Sequence, residues 1–241
     1  MKIAVLSDIH GNLEAFTSVL DDLASTAPDR VVCLGDAIGY GPDPEEVVRI
    51  LSRKGIPTLL GNHELAAIRP EYLDWFNPSA RCSLERTLEL LSPEVLDVLR
   101  TWPSVLEVEG ALCVHGCPPD SITRYLFEVA AEEFPKLFGS YPHRLCFVGH
   151  THALRWISWD GATLEKGPFG RRPLKLQAHR RYILNVGSVG QPRDGDNRAK
   201  YVLWDTESDT VRVRCVPYDI AATAEKILAL GFPRINADRL W

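Results

Sequence analysis

At 241 residues, 45% of them hydrophobic, the chain is long enough to bury a full core as one large α/β domain. Its 32 acidic residues outnumber 27 basic ones, and the resulting charge of −5 argues against nonspecific nucleic-acid binding, which needs a basic field. The opening Met1 to Leu6 is too short for a secretory segment and no apolar run reaches the length of a membrane span, so the expected location is cytoplasmic, with no membrane partner.

Lys2 to Leu6 reads as a buried strand. Asn12 to Ala24 follows as an amphipathic helix, with Leu13, Phe16, Leu20 and Leu23 on one face and Asn12 as N-cap. Arg30 to Leu34 is a second strand. Pro44 to Arg53 opens with proline and two glutamates, the charge and φ preference of a helix start. Pro57 to Leu60 is expected to be a third strand, giving a βαβαβ opening on a parallel sheet.

Residues 64–100 carry helical spacing in Leu84, Leu88 and Leu91, then Val95, Leu96 and Leu99, and read as a helical insertion in a single domain spanning 1–241. The second half is richer in hairpins. Val105 to Val108 and Ala111 to Val114 flank Glu109-Gly110, and Leu154 to Trp159 is expected to meet Ala162 to Leu164 across Asp160-Gly161. Tyr125 to Leu137 reads as a helix and Arg144 to Val148 as a buried strand. Tyr182 to Val186, Lys200 to Asp205 and Val211 to Val216 add strands, and Ile220 to Leu230 closes with a helix. Gly167 to Arg172 reads as a basic, solvated hairpin tip.

Six cysteines lie singly, mostly inside strand-like runs, and are expected to be buried reduced thiols rather than disulfides. The histidines are more telling. Five of the seven fall in short blocks with Asp, Asn and Gly: Asp8-Ile9-His10-Gly11-Asn12, Gly61-Asn62-His63-Glu64, His115-Gly116 and Gly149-His150-Thr151-His152, with Gly35-Asp36-Ala37-Ile38-Gly39 beside them. Each block comes soon after a strand-like run, so the strands would deliver ligands to one edge of a sheet. His143 and His179, beside arginines and outside any block, are expected at the surface.

The five blocks, D-x-H, G-D-x-x-G, G-N-H-E, an isolated H-G and G-H-x-H, stand in the order found in the calcineurin-like metallophosphoesterases, which this chain resembles from Ile3 to about Asp194. The resemblance implies an α/β fold of two mixed β-sheets packed face to face and flanked by helices. It implies two divalent transition-metal ions, Mn, Fe, Co, Ni or Zn, suited to a mixed N/O donor set. Asp8, His10 and His152 would hold the first ion; Asn62, His115 and His150 would hold the second; Asp36 would bridge them. His150 and His152, two apart, would point the same way if their segment is extended. Paired ions neutralise a phosphate ester and generate a water or hydroxide nucleophile near pH 7. His63, beside a ligand but not assigned to metal, would stabilise phosphoryl charge or protonate the leaving oxygen.

Where the Ser/Thr phosphatases of this superfamily continue with Asp-Arg-Gly, this chain reads Gly39-Tyr40-Gly41-Pro42-Asp43-Pro44. That departure points instead to small bacterial and archaeal phosphodiesterases, including dinucleoside polyphosphate hydrolases, with small phosphorylated substrates such as nucleotides. Phosphomonoesterase, phosphoprotein phosphatase and a noncatalytic protein-binding scaffold are the alternatives. A cation lost with the missing arginine needs a replacement, and Arg193, at the end of a glycine-rich loop after a strand, is expected to bind phosphate, with Tyr40 and Ser188 lining the same cleft.

Overall fold

The computed structural model describes residues 1–169 and 172–241. One mixed sheet has the order β2-β1-β10-β11-β8, from β1 (Lys2–Leu6), β2 (Arg30–Cys33), β8 (Leu174–Lys175), β10 (Ala199–Asp205) and β11 (Thr210–Val216). The other has the order β3-β4-β5-β9-β6-β7, from β3 (Val105–Val108), β4 (Ala111–Val114), β5 (Leu145–Val148), β6 (Arg155–Trp159), β7 (Leu164–Pro168) and β9 (Arg181–Asn185). β1 and β2 run parallel, as do β4, β5 and β9, and the remaining pairs are antiparallel.

Strand residues alternate between two buried faces, which is why the parallel strands read as unbroken apolar runs. Ile3, Val5, Ala111, Cys113, Leu145, Phe147, Tyr182 and Leu184 join Val202 and Trp204 in a core between the sheets. Ala4 and Leu6 face the other way, onto Phe16 and Val19 of α1 (Leu13–Thr26) and onto Val47, Val48 and Leu51 of α2 (Pro44–Arg53). Leu112, Val114, Cys146, Val148 and Ile183 pack outward on α6 (Phe134–Gly139), through Phe134, Leu137 and Phe138. The result is a helix–sheet–sheet–helix sandwich. Residues 62–100 are largely helical: α3 (Asn62–Ile68), a 3-10 turn at Pro70–Trp75, α4 (Pro78–Glu89) and α5 (Pro93–Arg100). α7 (Ile220–Ala229) and α8 (Arg234–Asp238) close the chain.

Four expectations need correction. The third strand shrinks to one bridge, Cys33 with Thr58: Pro57 lacks an N–H, and the Leu60 amide turns away to the Pro103 carbonyl at 2.9 Å. The helix from Tyr125 to Leu137 is instead two 3-10 turns, Leu126–Glu128 and Ala131–Glu133, ahead of α6, because Tyr125, Val129 and Ala130 are extended. The β6–β7 turn is longer than two residues, since the Asp160 carboxylate accepts the amides of Ala162 and Thr163 and organises a wider loop. Gly167 and Pro168 end β7 rather than forming a loop, while residues 170 and 171 of that basic stretch lie outside the described residues.

All six cysteines are free; Cys33, Cys113, Cys117 and Cys146 are buried, but Cys82 is exposed on α4 and Cys215 is half-buried. His179 is exposed as expected, whereas His143 is half-buried and its Nε2 lies 2.9 Å from Glu107. Among the described residues, no helix is long and apolar enough to cross a membrane.

Candidate metal centre

The carboxyl ends of β1, β2, β4, β5 and β9 lie together, so the loops that follow them converge from both sheets rather than along one sheet edge. Backbone bonds lock these loops to one another. Asp8 N–H donates to Gly35 O at 3.0 Å, His10 N–H to Asp36 O at 2.9 Å, Gly149 N–H to His115 O at 2.9 Å and Gly190 N–H to Asp8 O at 2.9 Å. Asp8, His10, Asp36, His63, His115, His150 and His152 are all buried here.

Three overlapping groups of potential ligand atoms result: Asp8 with His10 and His152, Asp36 with His115 and His150, and His10 with Asp36 and His63. His152 Nε2 lies 3.2 Å from Asp8 Oδ1, and His115 Nε2 lies 3.2 Å from both Asp36 Oδ2 and Asn62 Oδ1. Asp36 therefore belongs to two of the three groups and, through the same Oδ2, lies 3.8 Å from His10 Nε2 of the remaining one. The structure brings together all seven residues expected to meet there.

Backbone carbonyls set the imidazole tautomers. His10 Nδ1 donates to Ile38 O at 3.0 Å, His115 Nδ1 to Leu34 O at 2.9 Å and His152 Nδ1 to Gln191 O at 2.6 Å, leaving each Nε2 for the centre. His150 is reversed, with Nε2 donating to Thr123 O at 3.2 Å and Nδ1 left over. The Nε2 lone pair of His10 then faces His152 Nε2 at 3.0 Å, and buried Asp8 Oδ1 has no hydrogen-bond partner. Acceptors so placed repel one another unless a cation joins them. This carboxylate, amide and imidazole set fits a divalent transition metal.

The charges agree. Burial opposes ionisation of Asp8 and of Asp36, but neighbouring imidazoles, His152 for the first and His115 for the second, hold both carboxyls below the usual range. Burial lowers His10 well below its ordinary value, so its ring is neutral. Burial alone would also lower His115, yet Asp36 outweighs it and raises His115 to about 9. A metal at that group must therefore displace a proton from His115.

The backbone at the site is unusual. Asp8, His10, Asp36, Tyr40, His150 and His152 all have positive φ. Such non-glycine geometry is sparsely populated and concentrates at functional sites. His150 and His152 converge on the centre through left-handed kinks at φ 66° and 58°, correcting the expectation of an extended segment. Gly39 and Gly61 are fixed by contact: a Cβ on the first would strike the His63 ring, and on the second Asp36 Oδ1.

His63 sits on the first turn of α3, against His10, Tyr40 and Phe76, with Nδ1 unpartnered. Burial pushes its pKa down to about 4, so the ring is neutral at pH 7 until an anion beside it favours the proton. It opens on a cleft shared with Tyr40, Asn62, His150, His152 and Arg193. The Arg193 guanidinium lies 5.8 Å over the Tyr40 ring and donates to Gln191 Oε1 at 2.8 Å, not to Asp194 or Asp196. Ser188 is not a cleft wall. It is fully buried, donating to Asp8 O at 2.7 Å and accepting from Gln191 N, and so braces the β1 loop from behind.

Two supports were not foreseen. Glu64, fully buried, accepts from Asp36 N at 2.8 Å, Ile38 N at 3.0 Å and Gly61 N at 2.8 Å, tying the second block to the third. Its position three residues after the helix cap Gly61 is a capping-box signal present in the sequence. Asn185 donates to Gly149 O at 2.6 Å and accepts from Gly187 N at 3.1 Å, joining loops whose proximity only the fold reveals.

The model of the calcineurin-like phosphoesterases matches residues 1–154. An uncharacterized protein of Methanocaldococcus jannaschii is 33% identical over 244 residues, 99% of this chain and 97% of that protein. The crystal structure of a metallophosphoesterase from Sphaerobacter thermophilus is 35% identical, with a TM-score of 0.85 over 100% of this chain and 98% of the other. A symmetrical bis(5'-nucleosyl)-tetraphosphatase from Paracidovorax citrulli is 32% identical over 148 residues, 58% of this chain and 52% of that enzyme, so the alignment spans about half its length.

Proposed function

This chain belongs to the calcineurin-like phosphoesterase family and is a metal-dependent phosphoester hydrolase, and from that premise we propose that it is a dimetal phosphodiesterase or dinucleoside polyphosphate hydrolase. Asp8, His10 and His152 would hold one divalent transition-metal ion, Asn62, His115 and His150 the other, and Asp36 would bridge them. The observation carrying this reading is the convergence of buried carboxylates and imidazoles, with Asp8 Oδ1 lacking a hydrogen-bond partner and the Nε2 atoms of His10 and His152 facing each other at 3.0 Å. Bound ions of this kind neutralise phosphate charge and provide a nucleophile near neutral pH.

The chain's own residues do the rest. Glu64 and the four imidazole–carbonyl bonds fix the donors before substrate arrives, so little reorganisation is needed during reaction. An incoming phosphate raises the proton affinity of His63, which then delivers the proton to the leaving oxygen as the phosphorus–oxygen bond breaks. Water supplies the oxygen that replaces it. Arg193, with its planar fork, binds non-bridging oxygens of the scissile or adjacent phosphate. Tyr40 takes a position filled in the Ser/Thr phosphatases by a phosphate-gripping arginine, and Arg193 enters the same cleft from another loop. That exchange favours a small diester over a phosphoprotein.

Purified protein is expected to hydrolyse bis-p-nitrophenyl phosphate with Mn²⁺ or Co²⁺ and to lose that activity with a chelator. A protein-binding scaffold would show no turnover with any metal. Arg193→Ala is expected to lower kcat/KM by roughly 10-fold or more, on the scale of a lost charged hydrogen bond, with metal content unchanged. Parental kinetics on every substrate turned over would remove Arg193 from the site.

A further inference from the structure

The cleft over the ligand cluster has a volume of about 150 Å³. A substrate larger than a mononucleotide must extend along its walls. Two separate segments supply those walls, and each ends in an exposed aromatic ring. On one side, Tyr72 and Trp75 of the Pro70–Trp75 turn line the cleft with rings 4.7 Å apart, and Trp75 is 65% exposed. From the other segment, Tyr125 lines the cleft and stacks on His150 at 3.8 Å and 16°. Phe127 stacks in turn on Tyr125 at 4.7 Å and 18°, and is 72% exposed.

This second stack leads out of the cleft. Phe127 also lines a neighbouring groove of about 420 Å³, with Trp156 and the exposed cations Arg155 and Lys166. The two cavities share a wall: His150 and His152 face the first, while Thr151 and Ala153 face the second. Isolated exposed aromatics are ordinary on a protein surface. Here both adjoin one cleft, and one belongs to a three-ring stack beginning at the ligand cluster. A flat base stacks on such rings whatever its identity, and a phosphate chain between two bases matches cations placed in both cavities.

We propose that Trp75 and Phe127 are two base-stacking platforms, and that they select a substrate in which two nucleobases are joined through a phosphate chain. The proposal rests on the phosphoesterase reading and narrows its substrate class. A scissile phosphate in the His63–Arg193 cleft places one base on Trp75 and the other on Phe127, its phosphates near Arg155 and Lys166.

Calorimetric titration of the Mn²⁺-loaded protein with methylene-bridged, non-hydrolysable analogues of diadenosine tetraphosphate, ATP and tripolyphosphate tests this. Trp75→Ala and Phe127→Ala are each expected to reduce the preference for diadenosine tetraphosphate over tripolyphosphate by roughly 5- to 150-fold, the scale of one lost base–aromatic stack. ATP, with one base, is expected to lose preference in only one of the two variants. The proposal is overturned if the parent prefers neither nucleotide to tripolyphosphate, if either variant keeps the parental preference, or if all three ligands weaken together. Turnover of bis-p-nitrophenyl phosphate by the Mn²⁺-loaded parent is measured in parallel: its absence contradicts the phosphoesterase reading itself, and its presence beside an unchanged preference contradicts the base platforms alone.

Discussion

Asp36→Asn is expected to lose most of its bound metal and, with it, nearly all phosphoester hydrolysis. One Asp36 oxygen lies 3.2 Å from His115 Nε2 and 3.8 Å from His10 Nε2, so a single carboxylate faces both proposed ion positions. A neutral amide has the same shape but bridges two cations poorly. Altering a residue that merely orients ligands costs about 10- to 100-fold in metal affinity. Loss of the bridge should exceed about 100-fold. The fold should survive, because Oδ1 can still accept the His63 N–H, now at 3.0 Å, and His115, no longer held protonated by Asp36, can shed its proton rather than stay charged without a partner. Elemental analysis after gel filtration, with circular dichroism to check folding, decides the matter. Parental metal content in a folded Asp36→Asn protein would remove Asp36 from the bridging position.

His63→Ala separates binding from chemistry. The ring touches His10, Tyr40 and Phe76, opens on the cleft and has an unpaired nitrogen, while Asn62 beside it faces His115. Metal content should be retained, and kcat should fall by about 10²- to 10⁴-fold, the usual contribution of a positioned acid or base. A leaving group that needs no proton, such as p-nitrophenolate, should lose much less than an alkyl or phosphate leaving group. Loss of metal from His63→Ala would instead make His63 a ligand, in keeping with its place in the group with His10 and Asp36. Equal losses on all leaving groups would contradict a proton-delivery role.

The clustering of the proposed donors was legible because residue type marks them. Asp, Asn and His after apolar runs announce candidate ligands, which the structure brings together, and the order of the blocks gives each a proposed ion. Asn12 was equally plain: a short polar side chain before an amphipathic run, which caps α1 by accepting the Ala15 amide at 3.0 Å. Positions governed by backbone geometry were hidden. Nothing in the residue types of His150 and His152 announces a left-handed backbone, which is held by bonds to other loops, among them His150 N–H to Asp8 Oδ2 at 3.0 Å and Arg193 N–H to His152 O at 3.1 Å. Ser188 looked like a ligand-facing hydroxyl in a glycine-rich loop, but the fold turns it inward to Asp8 O. The stretch from Tyr125 to Leu137 has helical composition, yet tertiary contacts of Tyr125 with His150 hold its start extended. Trp75 and Phe127 carry no motif at all, since their meaning depends on which cavity they border.

The central claim is that two ions share Asp36 at the meeting point of the two sheets. Anomalous diffraction from crystals soaked in Mn²⁺ tests it most directly. Two peaks are expected about 3.5 to 4 Å apart, one beside Asp8, His10 and His152 and one beside Asn62, His115 and His150, with the Asp36 carboxylate touching both. A lone peak remote from Asp36, or no peak in the cluster at saturating metal, would contradict it.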